Sequence, residues 1–339
     1  MVVTMGCNLR DLVSPHSMDL SELRGQRVAV DVFLNAYQFI TSLTGPDGRP
    51  LSHEGRVTAH LYGFLDRASS LVAHGIDPVF VFDGKAPDLK RDTLDERRSR
   101  KQEARRRWEA AIEADDLGSA KKLGPQIAEY TPSMVQDTKR LFDLMGIVWI
   151  DAPMEAEGAA AMICKRGGVS AVASQDWDTL LYGAPVMIRN LTAHGTRRFG
   201  RVLTAERIEL EETLLNLEIS REQFVDLGIM IGTDFHPGFK GVGPKTGVKL
   251  IRKFGTLEEV AEHRGVEVPE NIGEIRNLFH DHPTVEKDPP ASSAGHEEGI
   301  VKMLRDELGF GEKRIMKAIE RLSSANRLRS SSKPTLFDF

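Results

Sequence analysis

Seven carboxylates stand out because of where they fall. Asp31 closes the apolar run RVAVD, and Asp83 closes PVFVFD. Glu155 and Glu157 follow Pro153 at an expected strand-to-helix turn, and Asp176 and Asp178 follow another apolar run in VSAVASQDWD. Asp234, in IGTDFHPG, ends an apolar helical pattern. Residues i and i+2 do not share a helix face, but in extended or turn backbone they point the same way. Each acidic pair is thus placed to aim two carboxylates at one spot. Clustered carboxylates repel and shift one another's pKa unless a cation neutralises them. Hard oxygen donors without Cys or His select Mg²⁺ or Mn²⁺ over zinc. Two such ions about 4 Å apart can activate water and stabilise the leaving oxygen in phosphodiester cleavage. Taken singly, each acid is better explained as a helix cap or turn residue, and only the set points to a metal site. Asp151 also ends an apolar run, IVWID, and the pattern leaves it open as a further ligand.

The elements around these acids alternate. RVAVDVFL leads into the helical NAYQFITSL, and RVTAHLYGFLDRASSLVAHG reads as a helix stopping at Gly75 before the strand PVFVFDG. PSMVQDTKRLFDLMG is a helix with a glycine stop, followed by IVWID; MEAEGAAAMICKRG is a helix, followed by VSAVASQ. PVMIRNLT and RRFGRVLT read as a strand pair. Strand–helix alternation with β-branched runs predicts an α/β fold, a mostly parallel sheet flanked by helices on both faces. In such sheets ligands bind outside the carboxyl ends of the strands, where these acids lie.

Residues 85–130 interrupt the rhythm with one or two charge-dominated helices. Within them, RRSRKQEARRR (97–107) carries seven basic residues and one acid, a local +6 in a chain of net charge −5. An exposed helix with i,i+4 ion pairs would account for part of this. The basic excess is too large for mutual pairing and suits a polyanion held near the metal site.

From about Ser220 the chain becomes helical. GFKGVGPKTGVKLIRKFG (238–255) nearly spells a phosphate-binding NTPase loop, but Pro244 separates Gly243 from Lys245 and no buried strand precedes it. A tight hairpin between two helices fits better. Gly241 and Gly243 would let backbone N–H groups approach a phosphate, with Lys245, Lys249, Arg252 and Lys253 nearby, a sequence-independent grip on nucleic acid. A plain helix–loop–helix joint is the simpler alternative. EKDPPASSAGHEEG (286–299) reads as a loop, helices resume after it, and NRLRSSSKPTLFDF (326–339) reads as a flexible tail.

At 339 residues and 40% hydrophobic, the chain can bury a substantial core. No run approaches the ~20 apolar residues of a membrane span. Cys7 and Cys164 are isolated, which fits a reducing cytoplasm, and no secretion signal is legible at the N-terminus. Met5 is an alternative start to Met1.

With DGKAPDLK, EAEG, SQDWDTLLYGAP, IGTDFHPGFKGVGPKTG and EEGIVKML in this order, the chain resembles the archaeal flap endonucleases from about Met5 to the C-terminus. These are structure-specific 5′ nucleases of DNA replication and repair. The resemblance implies a PIN-like nuclease fold with two Mg²⁺ ions, for which Mn²⁺ can substitute. It also implies a helical arch over about residues 85–130 and a helix–two-turn–helix element over about 226–256. The implied organisation is a nuclease core at 5–285, a C-terminal helical extension at 286–325 and a tail at 326–339.

The implied activity is cleavage of 5′ flaps on branched DNA, with 5′–3′ exonuclease activity as well. Asp31, Asp83, Glu155, Glu157, Asp176, Asp178 and Asp234 match the family's metal-site carboxylates, which passes over Asp151. Lys90 and Arg97 match basic arch residues that face the scissile phosphate. Tyr37, in NAYQF, matches an aromatic that stacks on a base, though it could equally be helix core. Gly6 matches the glycine after the family's initiator. The family hairpin can also hold K⁺ through backbone carbonyls. The family tail binds a sliding clamp; here KPTLFDF supplies Leu336 and Phe339 but has Lys333 in place of Gln and ends one aromatic short, which implies weak binding. A non-catalytic junction binder and a related metal-dependent ribonuclease are the competing readings. All seven filled acidic positions disfavour the first, and the basic insert and hairpin disfavour the second.

Overall fold

The apolar runs pair into one seven-stranded sheet in the computed structural model, which describes residues 7–198 and 200–331. In chain order the strands are His16–Met18 (β1), Arg27–Asp31 (β2), Asp77–Phe82 (β3), Val148–Asp151 (β4), Ala171–Ala173 (β5), Val186–Arg189 (β6) and Ala205–Glu209 (β7). Their spatial order is β1-β7-β6-β5-β2-β3-β4. The five strands from β6 to β4 are parallel, and β7 and β1 extend one edge antiparallel. From β2 the chain moves outward through β3 to β4, then crosses to the other side of β2 as β5 and β6. The strand order therefore reverses between β2 and β5, and an open parallel sheet leaves a crevice at the carboxyl ends of such a pair.

Alternation along the strands explains the cover on both faces. Ala29, Val79, Val81 and Val172 enter one core, shared with Ala160 of the helix Ala156–Lys165 (α6 in chain order) and Phe224 and Leu227 of Arg221–Ile231 (α9). Val28, Val30, Phe80 and Phe82 enter the other. That second core also takes residues from the helices Val32–Ser42 (α1), Ala59–Ala73 (α2) and Pro132–Met145 (α5). Phe80 stacks on Phe142 of α5 at 4.2 Å between ring centroids. Local chemistry sets the bounds of α5: Thr131 caps it, Pro132 opens it, and Gly146 ends it at φ 69°, where a side chain would be strained.

Residues 85–130 form two helices, Arg91–Glu113 (α3) and Leu117–Ile127 (α4), after a short turn at Asp88–Lys90. Only Ala104 and Ala111 of α3 are buried. The hairpin nevertheless docks against the Asp47–Gly48 turn: Trp108 Nε1 donates to the Asp47 carbonyl at 3.0 Å, and a Cβ on Gly124 would meet the Gly48 carbonyl oxygen. Ion pairs within the helix, such as Arg100–Glu96, coexist with Arg105 and Arg107, which make none among the described residues.

One expected pairing differs. Val186–Arg189 pairs with Ala205–Glu209, while Arg197–Arg198 and Arg201–Val202 close a small hairpin of their own. Gly200, at φ 76°, suits the reversal between these two short strands. The 286–299 loop is tied down by Arg27 Nη1 to the Pro289 carbonyl at 2.7 Å and by Arg166 Nε to Asp288 at 2.7 Å. Beyond it, Glu312–Ser331 packs along α2, burying Ile315, Ala318 and Leu322 in the second core. Among the described residues no helix is long and apolar enough to cross a membrane. Gly6, Lys333, Leu336 and Phe339 lie outside the described residues.

Candidate active site

Each of the seven acids is delivered by a different local device. Asp31 is the last residue of β2 and also caps α1, accepting from Leu34 N at 3.0 Å. Asp83 follows β3 and accepts from Ala156 N, at the first turn of α6, at 2.8 Å. Glu155 is the N-cap residue of α6 and Glu157 lies in its first turn. Asp176 stands in the turn after β5, and Asp178 opens the short helix Asp178–Leu181 (α7). Asp234 lies just beyond α9, in a turn bridged by Thr233 and His236. Gly84 keeps the exit from β3 tight: a Cβ there would overlap the Ala152 carbonyl oxygen, so the chain can pass directly above the Glu155 turn.

Burial and mutual repulsion act together on these groups. Burial raises the Asp31 carboxyl to about 7, helped by the charge of Asp83. Burial, then Asp234 and Glu155, raise Asp178 to about 7 against the Cys7 N–H, which donates to its Oδ1 at 2.7 Å. Asp176 and Glu157 are pushed well above the carboxylate range, by burial first and then by neighbouring acids. Asp83 is reached by solvent at the rim, yet confinement and the Glu155 charge push it upward as well. Burial also acts upward on Asp234, but Lys90 and Arg97 hold it below its ordinary value.

The positive charge comes from the base of the α3–α4 hairpin. Lys90 bonds Glu155 and reaches Asp234 Oδ2 at 2.9 Å, while Arg97 Nη2 reaches Asp234 Oδ1 at 2.7 Å. Burial would lower Lys90, but Glu155 and Asp234 hold it above its ordinary value. Among the described residues no three donors form a ready-made metal cage. Instead an ammonium stands among carboxylates whose ionisation is otherwise opposed. A cleft of oxygen donors that burial and crowding both discourage from charging fits a hard divalent cation. Among the described residues neither a cysteine nor a histidine joins it: the Cys7 thiol faces the Gly228 carbonyl at 3.7 Å, held protonated by burial and by Asp178 and Asp176.

Asp151, left open by the pattern, is drawn away from the cleft. Lys139 Nζ bonds both its oxygens, at 2.6 and 2.8 Å, at the end of β4, the edge strand two places from β2. Tyr37 is half-buried on α1, its ring 4.7 Å from that of Phe33, and Arg97 is close enough to act on its phenol. The hairpin expected near residue 240 forms between α9 and Pro244–Phe254 (α10), with Gly243 as the N-cap residue of α10 and Gly241 at φ 76°. Lys245 and Lys249 are exposed there, and Lys253 lies over the Phe254 ring. Arg252 is otherwise engaged: its Nε donates to the Leu217 carbonyl at 2.6 Å, closing the helix Leu210–Leu217 (α8).

Sequence reading missed the groups that hold the acids. Ser174 Oγ donates to Glu157 Oε1 at 2.9 Å and accepts from Asp176 N at 3.0 Å. Tyr182 donates to Glu155 Oε2 at 2.7 Å, and Thr93 Oγ1 donates to the Asp234 carbonyl at 2.8 Å. Ser174 and Tyr182 both lie within SQDWDTLLYG, but nothing in their spacing distinguishes a donor to a carboxylate from ordinary core or turn.

Comparison with known proteins bears on this arrangement. The XPG N-terminal domain matches residues 5–104 and the XPG I-region matches residues 146–234. Flap endonuclease 1 of Methanosarcina barkeri is 42% identical over 335 residues, covering 97% of this chain and 98% of that protein. Flap endonuclease 1 of Methanopyrus kandleri is 42% identical over 337 residues, covering 94% of each. The structure of flap endonuclease-1 from Methanococcus jannaschii superposes with a TM-score of 0.76 at 35% identity, over 96% of this chain and 100% of that one. The catalytic core of Rad2 in complex with DNA substrate, at 22% identity and a TM-score of 0.71, shares the fold over 92% of this chain and 96% of that one. The chain belongs to the flap endonuclease 1 family, structure-specific 5′ nucleases of DNA replication and repair.

Proposed function

We propose that Asp31, Asp83, Glu155, Glu157, Asp176, Asp178 and Asp234 hold two Mg²⁺ ions, with Mn²⁺ able to replace them. The observation that carries this reading is a cleft in which the strand-end carboxylates of β2, β3 and β5 lie against Glu155, Glu157 and Asp234, with Glu155 and Asp234 paired to Lys90 and Arg97 at the base of a basic helical hairpin. Bound there, the ions supply the positive charge that activates water and stabilises the leaving oxygen of a phosphodiester.

The chain's own groups do the rest. Lys90 and Arg97, which now neutralise Asp234, are placed to transfer their hydrogen bonds to a phosphate entering the cleft. Tyr37, half-buried on α1 and within reach of the Arg97 charge, offers its ring to the adjacent base, a contact typically worth about 1–3 kcal/mol. The exposed cations of α3 and the Gly241–Gly243 turn with Lys245 and Lys249 grip the backbone of branched DNA on either side. The products are a 5′-phosphate and a 3′-hydroxyl, and the same site serves 5′–3′ exonuclease action.

Three further assignments rest on family resemblance: K⁺ at the helical hairpin, a weak sliding-clamp contact through Leu336 and Phe339, and work in the cytoplasm on the nucleoid. The division into core 5–285, extension 286–325 and tail 326–339 belongs to the same reading. Asp176→Ala tests the site: it should abolish cleavage of a 5′-flap duplex in Mg²⁺ while leaving DNA binding within about twofold. Undiminished cleavage would remove the metal-site assignment.

A further inference from the structure

Most of the cleft acids have a donor fixed by the fold. Backbone N–H groups of Leu34, Ala156 and Cys7 hold Asp31, Asp83 and Asp178, and the Ser174 hydroxyl holds Glu157. Glu155 is different. It occupies the N-cap position of α6, yet its side chain makes no capping bond. Its donors among the described residues are Lys90, on Oε1, and Tyr182, on Oε2. Lys90 sits on a long, rotatable stem at the base of the α3–α4 hairpin. If it turns toward a substrate phosphate, Tyr182 is the donor that stays.

Tyr182 is built to stay. It is fully buried, its ring centroid 5.0 Å from those of Phe279 and His282. Its backbone N–H donates to the Asp178 carbonyl at 2.8 Å, closing α7, the helix that Asp178 opens. One side chain thus joins the α6 N-terminus, which carries Glu155 and Glu157, to the turn that carries Asp176 and Asp178. A phenol in this place is a neutral donor. It orients a carboxylate oxygen without adding positive charge that would compete with a cation.

We propose that Tyr182 is a positioning residue for Glu155, fixing Oε2 so that Oε1 is presented to a divalent cation in the cleft. This rests on the reading of Glu155 as a metal ligand.

Tyr182→Phe keeps the ring and its packing and removes only the hydroxyl. Outer donors to metal-binding groups typically change metal affinity by about 10–100-fold. The experiment is a Mn²⁺ titration, by electron paramagnetic resonance or calorimetry, of the DNA-free wild type, Y182F, E155Q and the double variant. Melting in EDTA establishes that each is folded. Expected are an affinity loss of about tenfold in Y182F, a loss in E155Q, and no further loss when Y182F is added to E155Q. Wild-type affinity in Y182F alongside a loss in E155Q overturns the proposal and leaves the metal site standing. Equal losses from Y182F in both backgrounds also overturn it, since the effect would not pass through Glu155. Wild-type affinity in E155Q overturns the ligand assignment itself.

Discussion

Replacing Asp31 by Asn should make the metal-free protein more stable at alkaline pH while removing its ability to respond to Mg²⁺. The Asp31 carboxyl is almost fully buried, and burial with the Asp83 charge lifts it from 3.8 to about 7. A carboxyl raised in this way holds its proton to higher pH in the folded chain than in the unfolded one. The native state therefore binds the extra proton between about pH 4 and 7, and wild-type stability falls as pH rises through that window. Above it the ionised, buried group costs on the order of 4 kcal/mol relative to the unfolded chain. Asn carries no charge to bury and can cap α1 as Asp31 does, through the bond from Leu34 N. The variant and wild type should match near about pH 4 and diverge until about pH 7, leaving D31N higher in Tm by several degrees at pH 8 in EDTA. Adding Mg²⁺ should reverse the order, because a ligand that binds only the native state stabilises it by RT ln(1 + [L]/Kd), more for the protein with the tighter site. The assay is thermal or denaturant unfolding of both proteins across that pH range, with EDTA and then with excess Mg²⁺. If D31N melts at or below wild type at pH 8 in EDTA, Asp31 is not an electrostatic burden and the account of the cleft is wrong.

Other perturbations separate the parts of the site. Arg97→Ala should slow the single-turnover cleavage rate on the order of 100-fold, with a smaller loss in DNA affinity; equal losses in both would make Arg97 a phosphate anchor only. Asp151→Ala should leave cleavage within about twofold of wild type and lower stability by no more than about 1 kcal/mol, since its partly exposed pair with Lys139 lies outside the cleft. Loss of cleavage in that variant would return Asp151 to the ligand set.

Strand ends were legible because an apolar, β-branched run that stops at an acid is a one-dimensional signal. Asp31 and Asp83 carry it plainly. The i, i+2 pairs Glu155/Glu157 and Asp176/Asp178 carry it too, since their spacing only has a common direction in turn or extended backbone. The docked base of α3 was legible only as a charge excess: the run of arginines implies a polyanion, but not that Lys90 and Arg97 turn inward to Asp234. The segment RRFGRV was misread as a strand pairing with β6, because a short apolar-basic alternation does not reveal which partner it meets. Asp151 shows the same limit, being as good a strand-end acid as Asp83 in sequence.

What the sequence determined by itself is the period of each element, the sign and place of its charge, and the order of acids along the chain, all set by neighbours in the chain. What only the tertiary structure decided is which acids share a cleft. The strand order reverses at β2, so Asp31, Asp83 and the β5 turn converge, whereas β4 lies one strand further out and its Asp151 falls to Lys139. Tyr182, Ser174 and the Cys7 backbone were likewise invisible, because a donor to a carboxylate 27, 17 or 171 residues away is defined by distance in space and leaves no spacing to read.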